Sequence, residues 1–140
     1  MDHFEYGPVE FFLIGFTGER PGPEVVDAIL DLVRSRTVNV LDLLFAGRSP
    51  DGELRIVELE EVADEYGFAG LVPGEPGLAG EDDIAEFAAA IAPGTSAALL
   101  IVEHAWARNF AEALSRAGGR VLRTERISAP DVNELIAAHT

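Results

Sequence analysis

Apolar positions recur along the chain in two rhythms, one of strands and one of helices. Val9–Phe16 (VEFFLIGF) is a nearly unbroken apolar run rich in β-formers, which predicts a strand covered on both faces. Thr17–Pro23 is a loop, with Pro23 suited to a first helical position and Glu24 favourable at the positive end of the dipole. Val25, Val26, Ile29, Leu30 and Val33 then keep helical spacing to about Ser35. Val38–Phe45 reads as a second strand. Ser49-Pro50-Asp51-Gly52 is turn chemistry, so Leu54–Leu59 should return as the other arm of a hairpin.

The second half repeats the alternation. Glu60–Ala69 predicts a short acidic helix. Gly70–Gly80, with four glycines and two prolines, predicts a loop and the most mobile segment. Ile84, Phe87, Ala88 and Ile91 mark a helix that opens on Glu81, Asp82 and Asp83 and is ended by Pro93-Gly94. Ala97–Val102 (AALLIV) is a third apolar strand. Trp106, Phe110, Ala113, Leu114 and Ala117 form a helical stripe closed by Gly118-Gly119, which places Trp106 in the core. Arg120–Ile127 reads as an edge strand. Ser128 caps a last helix, with Asp131 three residues on and Val132, Leu135 and Ile136 on its apolar side.

Two β-α-β units emerge, at 9–45 and 97–127. Interleaved through right-handed crossovers, they predict one α+β domain over residues 1–140. The expected architecture is a ferredoxin-like split βαβ sandwich with an extra hairpin strand and extra helices. Val9–Phe16 and Ala97–Val102 would be its central strands, with Leu54–Leu59 at one edge. Both crossover helices would cover one sheet face. Phe11–Ile14 and Leu99–Val102 do not alternate, so the other face must be covered too. A second copy packed face to face would do it, as would the helices around 60–69, 81–92 and 130–138 folding back.

Charge narrows the partners. The chain of 140 residues has a formal net charge of −15, which argues against nucleic acid and against an anionic membrane surface. The charge is uneven: residues 53–86 carry a net −10, residues 103–126 a net +2. An acidic surface could therefore meet an Arg-bearing one on a partner. Every basic residue is Arg, which excludes a Schiff-base or P-loop lysine; a GC-rich genome explains that bias. With no cysteine there are no disulfides and no thiolate chemistry. Acidic residues at the N-terminus and the lack of a long apolar run point to a cytoplasmic protein.

Candidate chemistry is sparse. His3 and His139 sit near the ends, where a solvated side chain is the ordinary case. Glu103 and His104 lie where the third main strand gives way to its helix, a common ligand position, and could act as an acid–base pair or as two metal ligands. Against this, adjacent strand residues point to opposite faces and no third ligand is marked; a helix cap is the competing structural role. Arg20, in the loop before the first helix, could hold an anion at that helix N-terminus. Arg20, Glu103 and His104 are the candidate ligand-binding residues, with no catalytic residue, cofactor or metal expected.

The stretches GPVEFFLIGF, RTVNVLDLLFAGRSPDGELRIVELEE and IAPGTSAALLIVEHAWARNFAEALSRAGGRVL resemble domain-of-unknown-function family 6325, short bacterial proteins. More distantly they resemble a broader uncharacterised family once labelled as membrane proteins. The resemblance implies one intact domain and supplies no activity. The glycine-rich segment of the broader family is short here and carries acids and prolines, so no membrane role carries over. The expected function is a non-catalytic, self-associating interaction or regulatory module, a homodimer or higher homo-oligomer. The alternatives are a small-molecule sensor and, third, an enzyme with a carboxylate–His pair.

Overall fold

The structure is a computed structural model that describes residues 6–18, 20–75 and 77–139. Strand β1 (Val9–Phe16) leads into α1 (Pro23–Ser35), which has Pro23 in its first turn and Arg34 in its last. Helix α1 stops at Arg36, whose φ of +61° is left-handed and closes the last turn as glycine commonly does. Strands β2 (Val38–Arg48) and β3 (Leu54–Glu58) form the expected hairpin, with Ser49 and Glu53 joined across a turn that places Gly52 at φ +95°. Helix α2 (Leu59–Tyr66) follows at once, then α3 (Glu81–Ala88), β4 (Ser96–His104), α4 (Ala105–Arg116) and α5 (Ala129–His139).

The four strands form one antiparallel sheet in the order β1-β4-β2-β3. The fold is therefore a mixed α+β one. Strand β3 is at an edge, as expected, and β4 is central. The expected central place of Val9–Phe16 is corrected: β1 is the other edge strand, and β2 lies inside. Apolarity along a strand reports covered faces, not rank within a sheet. The burial of the strands does report rank, since β4 is buried from Ser96 to Glu103 whereas no residue of β1 is fully buried.

A second correction concerns Arg120–Ile127. Residues 119–128 form no strand; they run exposed and outside the sheet's ladders. The β-α-β unit expected at 97–127 is thus not built. The crossovers present run from β1 through α1 to β2, and from β3 through α2 and α3 to β4, each skipping one strand.

Helices cover both faces. Val26 and Ile29 of α1, Leu59 of α2 and Phe68 pack against Val40, Leu43, Phe45, Leu100 and Val102. On the other face Ile84 and Phe87 of α3 pack against Leu41, Leu44, Leu99 and Ile101, and Phe87 stacks on Phe11 with ring centroids 5.8 Å apart. The second face, whose bareness would have required a second copy, is thus covered by a helix of the same chain.

Strand β2 carries a bulge between Val40 and Asp42, and the residues after α2 are fastened to it. Gly74 and Glu75 donate backbone bonds of 3.0 and 2.7 Å to the carbonyls of Val40 and Leu41. Buried Asp42 accepts from the amides of Leu43 (2.9 Å) and Ala79 (3.3 Å). Gly74, Glu75 and Ala79, within the segment expected to be most mobile, are thus fastened to β2. Burial pushes the Glu58 carboxyl above the usual carboxylate range, and the negative charges of Asp42, Glu60 and Glu61 add to it. Behind the hairpin, Arg48 donates from Nε to Ile91 O, from Nη2 to Ala88 O and from Nη1 to Gly52 O, at 2.9–3.0 Å. It thereby ties the end of α3 to the β2–β3 turn.

Candidate functional site

Strand β4 ends beside the start of β1 and the start of β2, with Glu103 in register with Val9 and Asn39. Alternation sends its last two side chains to opposite faces. Glu103 turns to the α3 side and is 2% exposed. Its carboxylate accepts from the Gly7 amide (2.7 Å) and Asn39 Nδ2 (2.9 Å), and Arg108 Nη1 lies 3.1 Å from it. A buried carboxylate with three donors is a settled structural charge.

His104 turns to the α1 side. Its Nε2 is 2.7 Å from Glu10 Oε1, and its ring meets Trp106 edge-on at 6.2 Å. The second oxygen of Glu10 pairs with Arg126, whose guanidinium lies 4.7 Å over the Phe12 ring. Nδ1 of His104 is buried without a hydrogen-bond partner among the described residues. His104 occupies the N-cap position of α4 without a side-chain cap bond.

The expected residues do not form one site. Glu103 and His104 are adjacent in sequence but belong to separate networks, so they form no acid–base pair. Arg20 follows β1 at its Phe16 end, opposite Ser96, and is an exposed residue 3.7 Å from Glu65. It is at the other end of the sheet. His139 is exposed on α5, and His3 lies outside the described residues. Among the described residues no three His, Cys, Asp or Glu come together as a metal site, and no helix is long and apolar enough to cross a membrane.

Beside Glu103 lies an open cleft of about 410 Å³, bounded by Tyr6, Asn39, Val72, Gly74 and Arg108. Tyr6 reaches across to hydrogen-bond Glu75. The cleft is the concave feature nearest the predicted corner, but its one buried charge is already satisfied.

Trp106 corrects the sequence reading most sharply. It is 57% exposed, and Phe110 is 55% exposed. The cause is Arg108: its pairing with Glu103 turns that side of α4 inward. Residues two positions away lie about 200° round a helix, so Trp106 and Phe110 face out. Gly7, Asn39 and Arg108, which organise Glu103, had no signal in the sequence. Their partner Glu103 is 96, 64 and 5 positions away, and strand register brings only Asn39 to it.

No curated protein and no solved structure matches the chain. A family model does, described as a family of unknown function, DUF6325, over residues 5–140. With nearly its whole length matched, the chain belongs to the DUF6325 family.

Proposed function

We propose that the protein is a non-catalytic, self-associating interaction module that works in the cytoplasm and docks through its C-terminal helix. The observation that carries this reading is α5, an 11-residue helix with no buried residue on its own chain and with Leu135 and Ile136 about 60% exposed. A helix this short gains most of its stability from packing an apolar face. A second copy is the commonest partner, arranged about a twofold axis. Charge supports the same occupant: the Arg-bearing segment before α5 can meet the acidic surface of residues 53–86 on the partner. Net charge remains an argument against nucleic acid.

The β-α-β-β-α-β course of the chain up to β4 supports the ferredoxin-like reading of the fold, while the order β1-β4-β2-β3 leaves β1 outermost. A small-molecule role has one observation in its favour, the cleft beside Glu103. A ligand there would have to displace the bonds that already hold that carboxylate.

Light scattering across a dilution series tests self-association. The protein should weigh as a dimer or larger at tens of micromolar. Leu135→Asp with Ile136→Asp should weigh as a folded monomer, since both side chains are about 60% exposed, with its Tm lowered only by what self-association contributes. A monomer mass for the unsubstituted protein at that concentration removes the proposal.

A further inference from the structure

We infer that the outer edge of β1 is a docking site for residues 120–127 of the same chain, which close on it as a fifth, antiparallel strand with Arg126 opposite Glu10. This inference does not rest on the role proposed for α5, and it places Arg126 of the segment before that helix on the chain's own β1.

Three observations converge. Among the described residues strand β1 pairs with β4 on one side only, so alternate residues of its eight present free backbone donors and acceptors outward. An apolar edge of that length is normally blunted or covered. Residues 120–127 carry Val121, Leu122 and Ile127 among polar residues and are exposed throughout, with Leu122 83% exposed and Val121 and Ile127 about half exposed. One residue of this segment is already on β1: Arg126 pairs with Glu10 and lies over Phe12.

That anchor fixes a register. In an antiparallel pair, directly opposed residues share a face and the neighbours two along are within reach of long side chains. Arg126 facing Glu10 puts Thr124 opposite Phe12 and Leu122 opposite Ile14, all on the α1 side of the sheet. On the other face Arg123 comes opposite Leu13 and Ile127 opposite Val9, an exposed residue. The chain direction fits. Helix α4 leaves β4 at His104 and turns at Gly118, φ +84°, so the segment restarts near the Phe16 end of β1 and runs against it. One closure thus covers a bare edge and a bare strand, and leaves α4 on its Arg108–Glu103 pairing.

The chain has no cysteine, so introduced pairs give an unambiguous test. Leu13→Cys with Arg123→Cys opposes the two thiols in this register. Leu13→Cys with Val121→Cys displaces them by two residues, beyond disulfide reach. The first pair should form an intramolecular disulfide rapidly under mild oxidation and the second should not. Cross-linked dimers would make the occupant a second copy, and equal or absent cross-linking would remove the register; either result overturns the inference. Amide hydrogen exchange on the unsubstituted protein reads the same closure without substitution. Alternate amides of residues 121–127 should exchange at least ~100-fold more slowly than in a free peptide. Uniformly fast exchange across the segment overturns it.

Discussion

Gly7 is where the smallest change should have the largest effect. A Cβ built on it would stand 2.6 Å from the Arg108 Cβ and 3.0 Å from that residue's backbone. The same residue donates its amide to Glu103. A methyl group would push α4 away and strip a buried carboxylate of two donors together. Gly7→Ala should therefore destabilise by about 1–3 kcal/mol, the range of overpacking in a tight contact, read as a lower urea midpoint at unchanged slope. This dependence was not legible in the sequence. Glu103 and His104 could be singled out because they end an apolar strand, and their divergence followed from alternation. What satisfies Glu103 is an amide from the segment before β1, an amide side chain from β2 and an arginine one turn into α4. Only the second is a register neighbour, and register cannot be read before the strand order is known.

At the scale of elements, local signals carried most of the fold. Pro23 with Glu24, the Ser49–Gly52 turn and the acids at Glu81–Asp83 each marked a boundary by backbone chemistry that neighbours do not alter. Ser128 does accept from the Asp131 amide, at 3.4 Å, at the start of α5. Arg48 shows the limit of such signals. On an apolar strand it looks like an exposed charge, yet its guanidinium holds the carbonyls of Ala88, Ile91 and Gly52. It places positive charge at the negative end of α3, where the helix dipole favours it. Arg48→Ala should cost about 2–4 kcal/mol, since several charge-assisted bonds are lost together and buried carbonyls lose their donor. Arg48→Lys should recover only part of this, because one ammonium cannot span three carbonyls in different directions. Thermal melts of the two variants measure both. The stripe of α4 failed as a signal for the complementary reason: amphipathicity shows what a helix can bury, and Arg108 decides which way it faces.

For the whole molecule, the dominant quantity is the net charge of −15. Acids crowd α2 and the first turn of α3, and Asp42 and Glu58 bring two more carboxyls close together near the sheet. Like charge distributed in this way opposes the compact state, and salt screens it over a Debye length. Raising ionic strength from about 20 mM to about 0.5 M should therefore raise the Tm, by ~3–5 °C for a gain near 1 kcal/mol. A Tm that falls with salt would mean that the ion pairs of Glu10 and Glu103 outweigh the repulsion. The sign of the charge effect was readable from composition alone. The rank of β1 in the sheet was not, because an edge strand covered by α1 below and α3 above shows the same apolar run as a central one.

The order β1-β4-β2-β3 also dictates how the molecule is made. Strands β1, β2 and β3 are synthesised first, yet every ladder partner of β1 lies in Ser96–Glu103. The β2–β3 hairpin can form early, but β1 has no place beside it until β4, the last of the four strands, arrives to lie between them. Such non-local pairing is slow to form. While the ribosome translates the stretch between β3 and β4, Phe11–Ile14 wait without a partner strand, and this is the interval in which a nascent chain is most exposed to aggregation and most dependent on chaperones.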